Sequence, residues 1–156
     1  MSEQWLGLAG KVVVVTGAVG GMGTKFTEEF AKQGANLALV DLLEEKTQAR
    51  AAELKQQYGV DTLAVKCNTT NEAEVDAAVK AVVDHFGRVD VLVNTAAILR
   101  FSPLEDLRLD EWNMALNVNL TGYFLMSQRF GKAMIKQHKG TIVNISTIAS
   151  RFPETY

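Results

Sequence analysis

The sequence predicts an α/β fold in which helices cover both faces of a parallel sheet. Short apolar runs rich in β-branched residues alternate with longer amphipathic segments, as strands and helices do. Glycines follow the amphipathic segments at Gly34, Gly59 and Gly140, where helices commonly end. A glycine-rich turn follows the first apolar run. Alternating strands and helices imply parallel strands joined by right-handed crossovers.

The composition fits a single domain over residues 1–156 and disfavours several classes of protein. The chain is 47% hydrophobic and 22% charged, with a formal net charge of −2. Because the two charge signs are interspersed, a nucleic-acid groove and an anionic-membrane surface are disfavoured. The apolar runs are far shorter than the ~20 residues of a membrane span. Cys67 is the sole cysteine, which excludes a disulfide framework and a cysteine-based zinc cluster and favours a cytoplasmic location.

Five strands and four helices are predicted in alternation. In chain order they are strand 12–16, helix 24–33, strand 36–40, helix 44–58, strand 62–67, helix 72–86, strand 89–94, helix 111–137 and strand 141–145. The first strand is a continuous apolar run, as expected of a strand covered on both faces. The first helix places Phe26 and Phe30 on one face, and the second is rich in Ala, Glu, Lys and Gln.

Polar residues mark the starts of the two later helices. Asn71, with Glu74 three residues later, is typical of a capping box. Asp110 is placed to cap the fourth helix, which is predicted as one long element. Together the nine elements predict a Rossmann-type, doubly wound parallel sheet with strand order 3-2-1-4-5.

The turn after the first strand has the pattern of a dinucleotide-binding loop. It reads Thr16-Gly17-Ala18-Val19-Gly20-Gly21-Met22-Gly23. Gly17 allows a sharp turn, while Gly20 and Gly21 keep side chains away from a pyrophosphate. Gly23 lets helix and strand approach, and the backbone around Met22 offers helix N-terminal N–H groups to the anion.

Asp41 indicates which dinucleotide this loop would bind. It stands at the end of the second strand, twenty residues after Gly21. A carboxylate there can accept hydrogen bonds from both adenosine-ribose hydroxyls and would repel a 2′-phosphate. Leu42 follows it, and the glycine loop contains no Arg or Lys. These features favour NAD over NADP.

The chain resembles the short-chain dehydrogenase/reductase family along its whole length. The family's TGxxxGxG loop is matched by Thr16, Gly17, Gly21 and Gly23. Three further segments occur in the family's order: NTAA at 94–97, where the family has NNAG, NVNLTG at 117–122, and GTIVNIS at 140–146. The resemblance implies an oxidoreductase that moves a hydride between NAD(H) and a secondary alcohol or ketone.

The resemblance also implies roles for residues beyond the glycine loop. Asn68, after the third strand, would lie near the adenine, which an amide can contact through its oxygen or its NH₂ group. Thr69 beside it is a further candidate cofactor-binding residue. Asn94 would brace the fourth strand, and the backbone of Ala96 would face the cofactor ribose. Thr95 and Ala97 depart from the NNAG pattern.

The catalytic residues implied by the resemblance are Asn119, Ser146 and Tyr156. Asn119 would position a water in a proton relay, and Ser146, with Thr147 as the alternative, would supply the hydroxyl. Tyr156 is either the catalytic tyrosine or a pocket residue just before it. The family's lysine, four residues beyond the tyrosine, is not in the chain.

We therefore expect an N-terminal portion of a longer, homo-oligomeric enzyme, inactive by itself, with the fifth strand as an exposed edge. A non-catalytic NAD-binding module and an epimerase or dehydratase on the same scaffold remain the alternatives. The loops after the fourth and fifth strands predict an apolar small-molecule substrate, through Ile98, Leu99, Phe101, Ile148 and Phe152. No metal site is expected.

Overall fold

Five parallel strands form one sheet in the order β3-β2-β1-β4-β5, which confirms the predicted order. The strands are β1 (Val12–Thr16), β2 (Asn36–Asp41), β3 (Thr62–Lys66), β4 (Val91–Asn94) and β5 (Thr141–Asn144). The structure is a computed structural model that describes residues 6–99 and 103–147. Tyr156, Phe101, Ile148 and Phe152 lie outside the described residues.

Helices lie between the strands. They are α1 (Gly21–Lys32), α2 (Glu44–Tyr58), α3 (Glu72–Phe86), α4 (Leu109–Leu116) and α5 (Tyr123–Lys136), with a short 3₁₀ turn at Leu104–Asp106. The first helix begins three residues earlier than predicted, because the last glycines of the loop already form its first turn. Among the described helices, none combines the length and the apolar character that crossing a membrane requires.

The apolar run of β1 is continuous because each face of the strand packs against helices. Val12 and Val14 share a buried cluster with residues of α3 and α5, including Phe130. Val13 and Val15 belong to the opposite cluster, which includes residues of α1 and α2. Successive side chains of a strand point to opposite faces, so the sheet is buried on both sides at β1.

The predicted fourth helix is interrupted by a wider turn. Asn117–Gly122 form a π-helical segment between α4 and α5. Such segments are rare and occur frequently at functional sites. The prediction of one regular helix over 111–137 was therefore wrong in its middle, although its extent is close to that of the three consecutive segments.

The helix caps differ from the predicted ones in two details. The Asn71 side chain accepts a hydrogen bond from the Glu74 N–H at 3.2 Å, as a capping box requires. The Glu74 carboxylate, however, accepts from the N–H of Asn68 at 2.8 Å, which ties the helix to the end of β3. The Asp110 cap was wrong, because Arg108 occupies the cap position and Asp110 lies in the first turn. The Asp110 carboxylate pairs instead with the Arg108 guanidinium at 2.9 Å.

Candidate functional site

A cleft of about 450 Å³ opens at the carboxyl ends of the central strands. This edge is where ligands bind in doubly wound sheets, beside the reversal of strand order. The reversal lies at β1, which pairs with β2 on one side and β4 on the other. All the predicted cofactor residues except Asn94 line the cleft, namely Gly17, Gly20, Gly21, Met22, Gly23, Asp41, Asn68, Thr69 and Ala96.

Two glycines of the loop are required by close approaches of the backbone. Gly17 has a φ of +63°, and a Cβ there would lie 2.8 Å from the Cα of Ala96. A Cβ at Gly23 would lie only 2.0 Å from the carbonyl oxygen of Gly17. Side chains at either position would force the loop, the start of α1 and the end of β4 apart, so these glycines hold the cleft in shape.

Gly21 has a different role from Gly17 and Gly23. A Cβ at Gly21 would meet no atom of the described residues within 4 Å, yet the residue lines the cleft. Gly20 is the N-cap of α1 and, as a glycine, has no side chain that could accept a hydrogen bond from the first N–H groups of the helix. Uncapped N–H groups and the positive end of the helix dipole attract anions. The start of α1 beside Gly21 is therefore the part of the cleft lining to which an anion would be attracted.

Asp41 connects the glycine loop to the segment after β2. One carboxylate oxygen accepts from the N–H of Val19 at 3.1 Å, and the other accepts from the N–H of Leu43 at 3.1 Å. Leu42 beside it is 58% exposed and apolar. Among the described residues that line the cleft, none is Lys or Arg.

Asn68 follows β3 next to Asp41, and the N–H of Cys67 donates to the Asp41 carbonyl at 3.0 Å. The side-chain oxygen of Asn68 accepts from the N–H of Thr70 at 3.0 Å and from the Thr70 hydroxyl at 2.8 Å.

Thr69 is buried against the end of the π-helical segment, where a Cβ on Gly122 would lie 2.8 Å from the Thr69 hydroxyl. Cys67 is buried, and burial together with the Glu74 charge raises the pKa of its thiol to about 12.

Thr16 joins the ends of β1 and β4, a role that the sequence analysis missed. Its hydroxyl oxygen accepts from the N–H of Thr95 at 3.0 Å and from that of Ala96 at 3.1 Å. The Thr95 hydroxyl in turn donates to the Thr16 carbonyl. The departure from NNAG at Thr95 thus adds a bond between the two strands. The departure at Ala97 places an exposed methyl group on the cleft wall.

Asn94 lies behind the cleft and not in its lining. It is fully buried, and its side-chain nitrogen donates to the Asn144 side chain at 2.8 Å and to the Ser127 hydroxyl at 3.1 Å. Its side-chain oxygen is buried and has no hydrogen-bond partner among the described residues. Asn94 therefore links β4 to β5 and to α5, a position suited to the bracing role expected of it.

Asn119 stands in the π-helical segment and holds the loop after β4. Its side-chain oxygen accepts from the N–H of Ile98 at 2.9 Å, and its side-chain nitrogen donates to the Ile98 carbonyl at 2.8 Å. Each of the two polar atoms keeps one further hydrogen or lone pair with which a water could be held.

The residues after β5 are the least enclosed part of this edge. Every residue of β5 is exposed, and Ser146 and Thr147 follow it as exposed side chains. Parallel strands share their carboxyl edge, so Ser146 lies at the same edge of the sheet as the cleft. Within the described ranges, no group of three or more His, Cys, Asp or Glu residues is arranged to hold a metal ion.

The comparison with known families agrees with this architecture. The family model described as "short chain dehydrogenase" matches residues 11–155. The chain belongs to the short-chain dehydrogenase family. The relatives described below are named as dehydrogenases and reductases.

Individual relatives differ in substrate and cofactor. The chain is 42% identical to the D-threitol dehydrogenase of Mycolicibacterium smegmatis, over 92% of this chain and 55% of the relative. It resembles the structure of NAD⁺-bound xylitol dehydrogenase with a TM-score of 0.90 and 32% identity, covering 95% of this chain and 57% of that one. It also resembles the L-sorbose reductase of Gluconobacter frateurii, solved with NADPH and L-sorbose, with a TM-score of 0.91, 28% identity, and coverage of 97% and 57%. The chain spans about half the length of the first curated relatives that it matches.

Proposed function

We propose that this chain is the cofactor-binding part of an NAD-dependent oxidoreductase that transfers a hydride between NAD(H) and a secondary alcohol or ketone. Bound NAD would supply the hydride acceptor. The N–H groups at the start of α1 bind the pyrophosphate, and Asp41 accepts hydrogen bonds from the adenosine ribose. Asn68 and Thr69 lie where the base would stand, and the backbone of Ala96 faces the second ribose.

The observation that carries the choice of NAD is the carboxylate of Asp41 on the cleft wall. Solved relatives bind either cofactor, since one holds NAD⁺ and another NADPH, so the choice depends on residues of this chain. A 2′-phosphate would stand against the Asp41 carboxylate, with Leu42 in place of a cation beside it. An unpaired charge next to a like charge weakens binding, which supports NAD.

The proposed catalytic residues are Ser146, Asn119 and Tyr156. Ser146 would donate a hydrogen bond to the substrate oxygen, and Asn119 would hold a water through its remaining hydrogen and lone pair. Tyr156, or a tyrosine just beyond it, would transfer the proton. The 156 residues alone would bind nucleotide without turnover, because the lysine that belongs to this relay in the family is not among them.

The substrate proposal is an apolar secondary alcohol or ketone. It rests on the cleft residue Ile98 and on Leu99, which is 69% exposed beside it. A sugar alcohol is the second candidate, because the relatives are named for threitol, xylitol and sorbose. Assays of the whole protein with a cyclic apolar alcohol and with a polyol would separate the two. Homo-oligomerisation and a cytoplasmic location remain part of the proposal.

Calorimetric titration of the chain with NAD⁺ and NADP⁺ tests the cofactor directly. We expect NAD⁺ to bind at least about tenfold more tightly, which corresponds to roughly 1.4 kcal/mol. Equal affinities would remove the assigned role of Asp41, and no binding of either nucleotide would remove the proposed function of the cleft.

A further inference from the structure

A second cavity lies on the helical layer formed by α3 and α5, away from the nucleotide cleft. The two helices pack side by side on the sheet through Val75 and Val82 of α3 and Phe130 of α5, which are all buried. Outside this contact they form a groove of about 660 Å³, larger than the cleft of about 450 Å³. Among the described residues, none lines both cavities. The α3–α5 groove is therefore a separate feature, and what it binds does not depend on the proposed function.

The α3–α5 groove combines an apolar floor with a charged rim. Val79 and Val83 of α3 and Ala133 of α5 line it as half-buried side chains. Lys132 and Lys136 of α5 line it as exposed side chains. Such a surface can contact an apolar group and an anionic group of the same partner.

Most of the charged side chains in the groove are already paired with each other or with their neighbours. The pairs are Arg129 with Glu72 and Asp76, Lys80 with Asp84, and Arg88 with Asp90. Arg129 reaches across from α5 to α3, since it lies 2.8 Å from each of its two carboxylates. These cations are neutralised within the chain and are not available to a partner.

Lys132 and Lys136 differ from these cations. Within the part of the chain that the structure describes, neither lysine has an ion pair. They stand four residues apart on one face of α5, roughly 6 Å along the helix axis. Like charges at this spacing repel each other and destabilise a helix. Because the chain as a whole has a formal net charge of −2, this lysine pair is opposite in sign to the molecule that carries it.

We propose that the α3–α5 groove binds an acidic amphipathic helix of a partner protein. Carboxylates four residues apart on such a helix repeat at the spacing of Lys132 and Lys136. The apolar side chains on the adjoining face of the helix would contact Val79 and Val83. Amphipathic helices bind apolar grooves in this way, through side chains that recur every three or four residues.

The lining of the groove favours a helix over other anionic partners. Lys132 and Lys136 follow one another along α5, whereas the donors around a single phosphate converge on one point. A nucleic-acid strand is contacted mainly through its phosphates, which have no apolar group for Val79 and Val83. A flat membrane surface does not enter a concave groove. An amphipathic helix supplies both the anionic and the apolar contact.

A synthetic peptide tests the inference on the chain itself. It has about 15 residues, the length that an isolated helix needs, with Leu along one face, Glu four residues apart beside that face, and Ala elsewhere. Fluorescence anisotropy of the labelled peptide at low salt should give a Kd between about 10 μM and 1 mM, as for a contact of small area. A scrambled peptide of the same composition, without the apolar face, should bind at least about tenfold more weakly. Equal binding of the two peptides, or no binding of either, would overturn the inference.

Charge reversal of the lysine pair tests which residues bind the peptide. Lys132→Glu combined with Lys136→Glu should weaken binding at least about tenfold, because like charges then face each other. The matched control combines Lys25→Glu on α1 with Lys46→Glu on α2, two exposed lysines outside the groove. It changes the net charge by the same amount and should leave the Kd within about twofold. An equal loss in both double variants would mean that net charge, and not the groove, attracts the peptide.

A milder pair of substitutions keeps the test independent of folding. Lys132→Gln combined with Lys136→Gln removes the charges without reversing them and should weaken binding by at least about threefold. Thermal unfolding of each variant shows whether the fold is retained. An unchanged Kd in the folded Gln variant would contradict the role of the two lysines.

Amide chemical shifts of the ¹⁵N-labelled chain locate the bound peptide. The peptide should shift amides of α3 and α5 more than those of the glycine loop, and saturating ADP should not displace it. Shifts centred on the glycine loop would overturn the inference. Tighter binding of a thymidine oligonucleotide or of phosphatidylserine vesicles than of the peptide would show that the partner class is wrong. Failure of NAD⁺ to bind would refute the proposed function alone, since the peptide titration decides the groove separately.

Discussion

The sheet edge that carries the cleft has two sides, which differ in how far their strands are buried. The nucleotide side is formed by β1 and β2, and the other side by β5. On the nucleotide side, every residue of β1 and the central four of β2 are buried, and the loop residues are bonded to each other. On the β5 side, all four strand residues are exposed, and Ser146, which follows after the half-buried Ile145, is exposed as well. The nucleotide side holds its shape through contacts within the described residues. The position of Ser146 depends on how β5 is attached to β4.

The largest effect is expected at the glycine pair that shapes the nucleotide side. In Gly23→Ala the new Cβ would stand 2.0 Å from the Gly17 carbonyl, so α1 must move away from the loop. We expect a loss of about 3 kcal/mol of stability, a fall in Tm of about 6–12 °C, and loss of ADP binding. Thermal unfolding and calorimetry would measure the two effects.

Gly21→Ala is the control for that variant. Its Cβ meets no atom within 4 Å in the part of the chain that the structure describes. The Tm should therefore stay within about 2 °C of the wild type, since the substitution costs at most a fraction of a kcal/mol. ADP should nevertheless bind more weakly, because the methyl group enters the space assigned to phosphate. Undiminished binding would place the anion elsewhere.

A smaller effect on nucleotide binding is expected from substitution of Asp41, whose carboxylate makes hydrogen bonds on the nucleotide side of the cleft. Asp41→Ala should weaken NAD⁺ binding by about tenfold or more, since it removes both the acceptor for the ribose and the bonds to Val19 and Leu43. Relative affinity for NADP⁺ should rise. Glu45→Ala, an exposed carboxylate in the first turn of α2, should change neither affinity. A chain that binds NADP⁺ more tightly before any substitution would contradict the assignment.

Asn94→Ala tests whether the two sides are independent. It removes the bonds to Asn144 and Ser127 and should cost about 1–3 kcal/mol of stability. Amide hydrogen exchange in β5 should become faster, while the Kd for ADP should stay within about twofold. Ser127→Ala removes only one of those bonds and should cost less, about 1 kcal/mol. A large loss of ADP binding in Asn94→Ala would show that the sides are coupled.

The smallest effect concerns Asp90, at the opposite edge of the sheet from the cleft. Burial raises the pKa of this carboxyl, but hydrogen bonds from Arg88 and the Val12 N–H outweigh burial and leave the pKa below its ordinary value. A lowered folded-state pKa stabilises the fold above the unfolded pKa, about 4, and this contribution is lost as the pH falls below it.

Asp90→Asn should therefore lower the free energy of unfolding by about 1 kcal/mol at pH 7 and flatten its decline as the pH falls below about 4. Urea titrations at a series of pH values would measure both. Asp84→Asn, at an exposed position of α3, serves as the control. Nucleotide binding should be the same in both variants, and a steeper acid decline in Asp90→Asn would mean that the sign of the shift is wrong.

The order of the strands and the place of the cleft were predictable because each depends on a local pattern. Apolar runs, terminal glycines and the glycine loop are properties of neighbouring residues, and they located the strands to within one or two residues. The prediction that Asp110 caps the fourth helix was wrong because it, too, depended on a local pattern alone. A local pattern shows which residue is able to cap a helix, but Arg108 two residues earlier took the cap position and paired with Asp110.

The contacts that shape the site depend on residues far apart in the sequence. Asp41 bonds to Val19 across 22 positions, and Thr16 bonds to Ala96 across 80. Spacing can place such residues at the same edge, yet it does not specify which N–H a carboxylate or hydroxyl will meet. The catalytic assignments to Ser146 and Tyr156 rest on the family resemblance alone and stay predictions.

The π-helical segment has a consequence for the helical phase on its two sides. A turn closed by an i→i+5 bond contains one residue more than an α-helical turn, and one residue corresponds to a rotation of about 100°. The buried face of α5, with Met126 and Phe130, is therefore rotated about the helix axis. The rotation is relative to the position that this face would have if α4 continued into α5 as a regular α-helix. Deleting a single residue between 117 and 122 would restore an unbroken α-helix. It would also rotate Asn119 away from Ile98 or turn α5 off its buried face, so the length of this segment is as constrained as its composition.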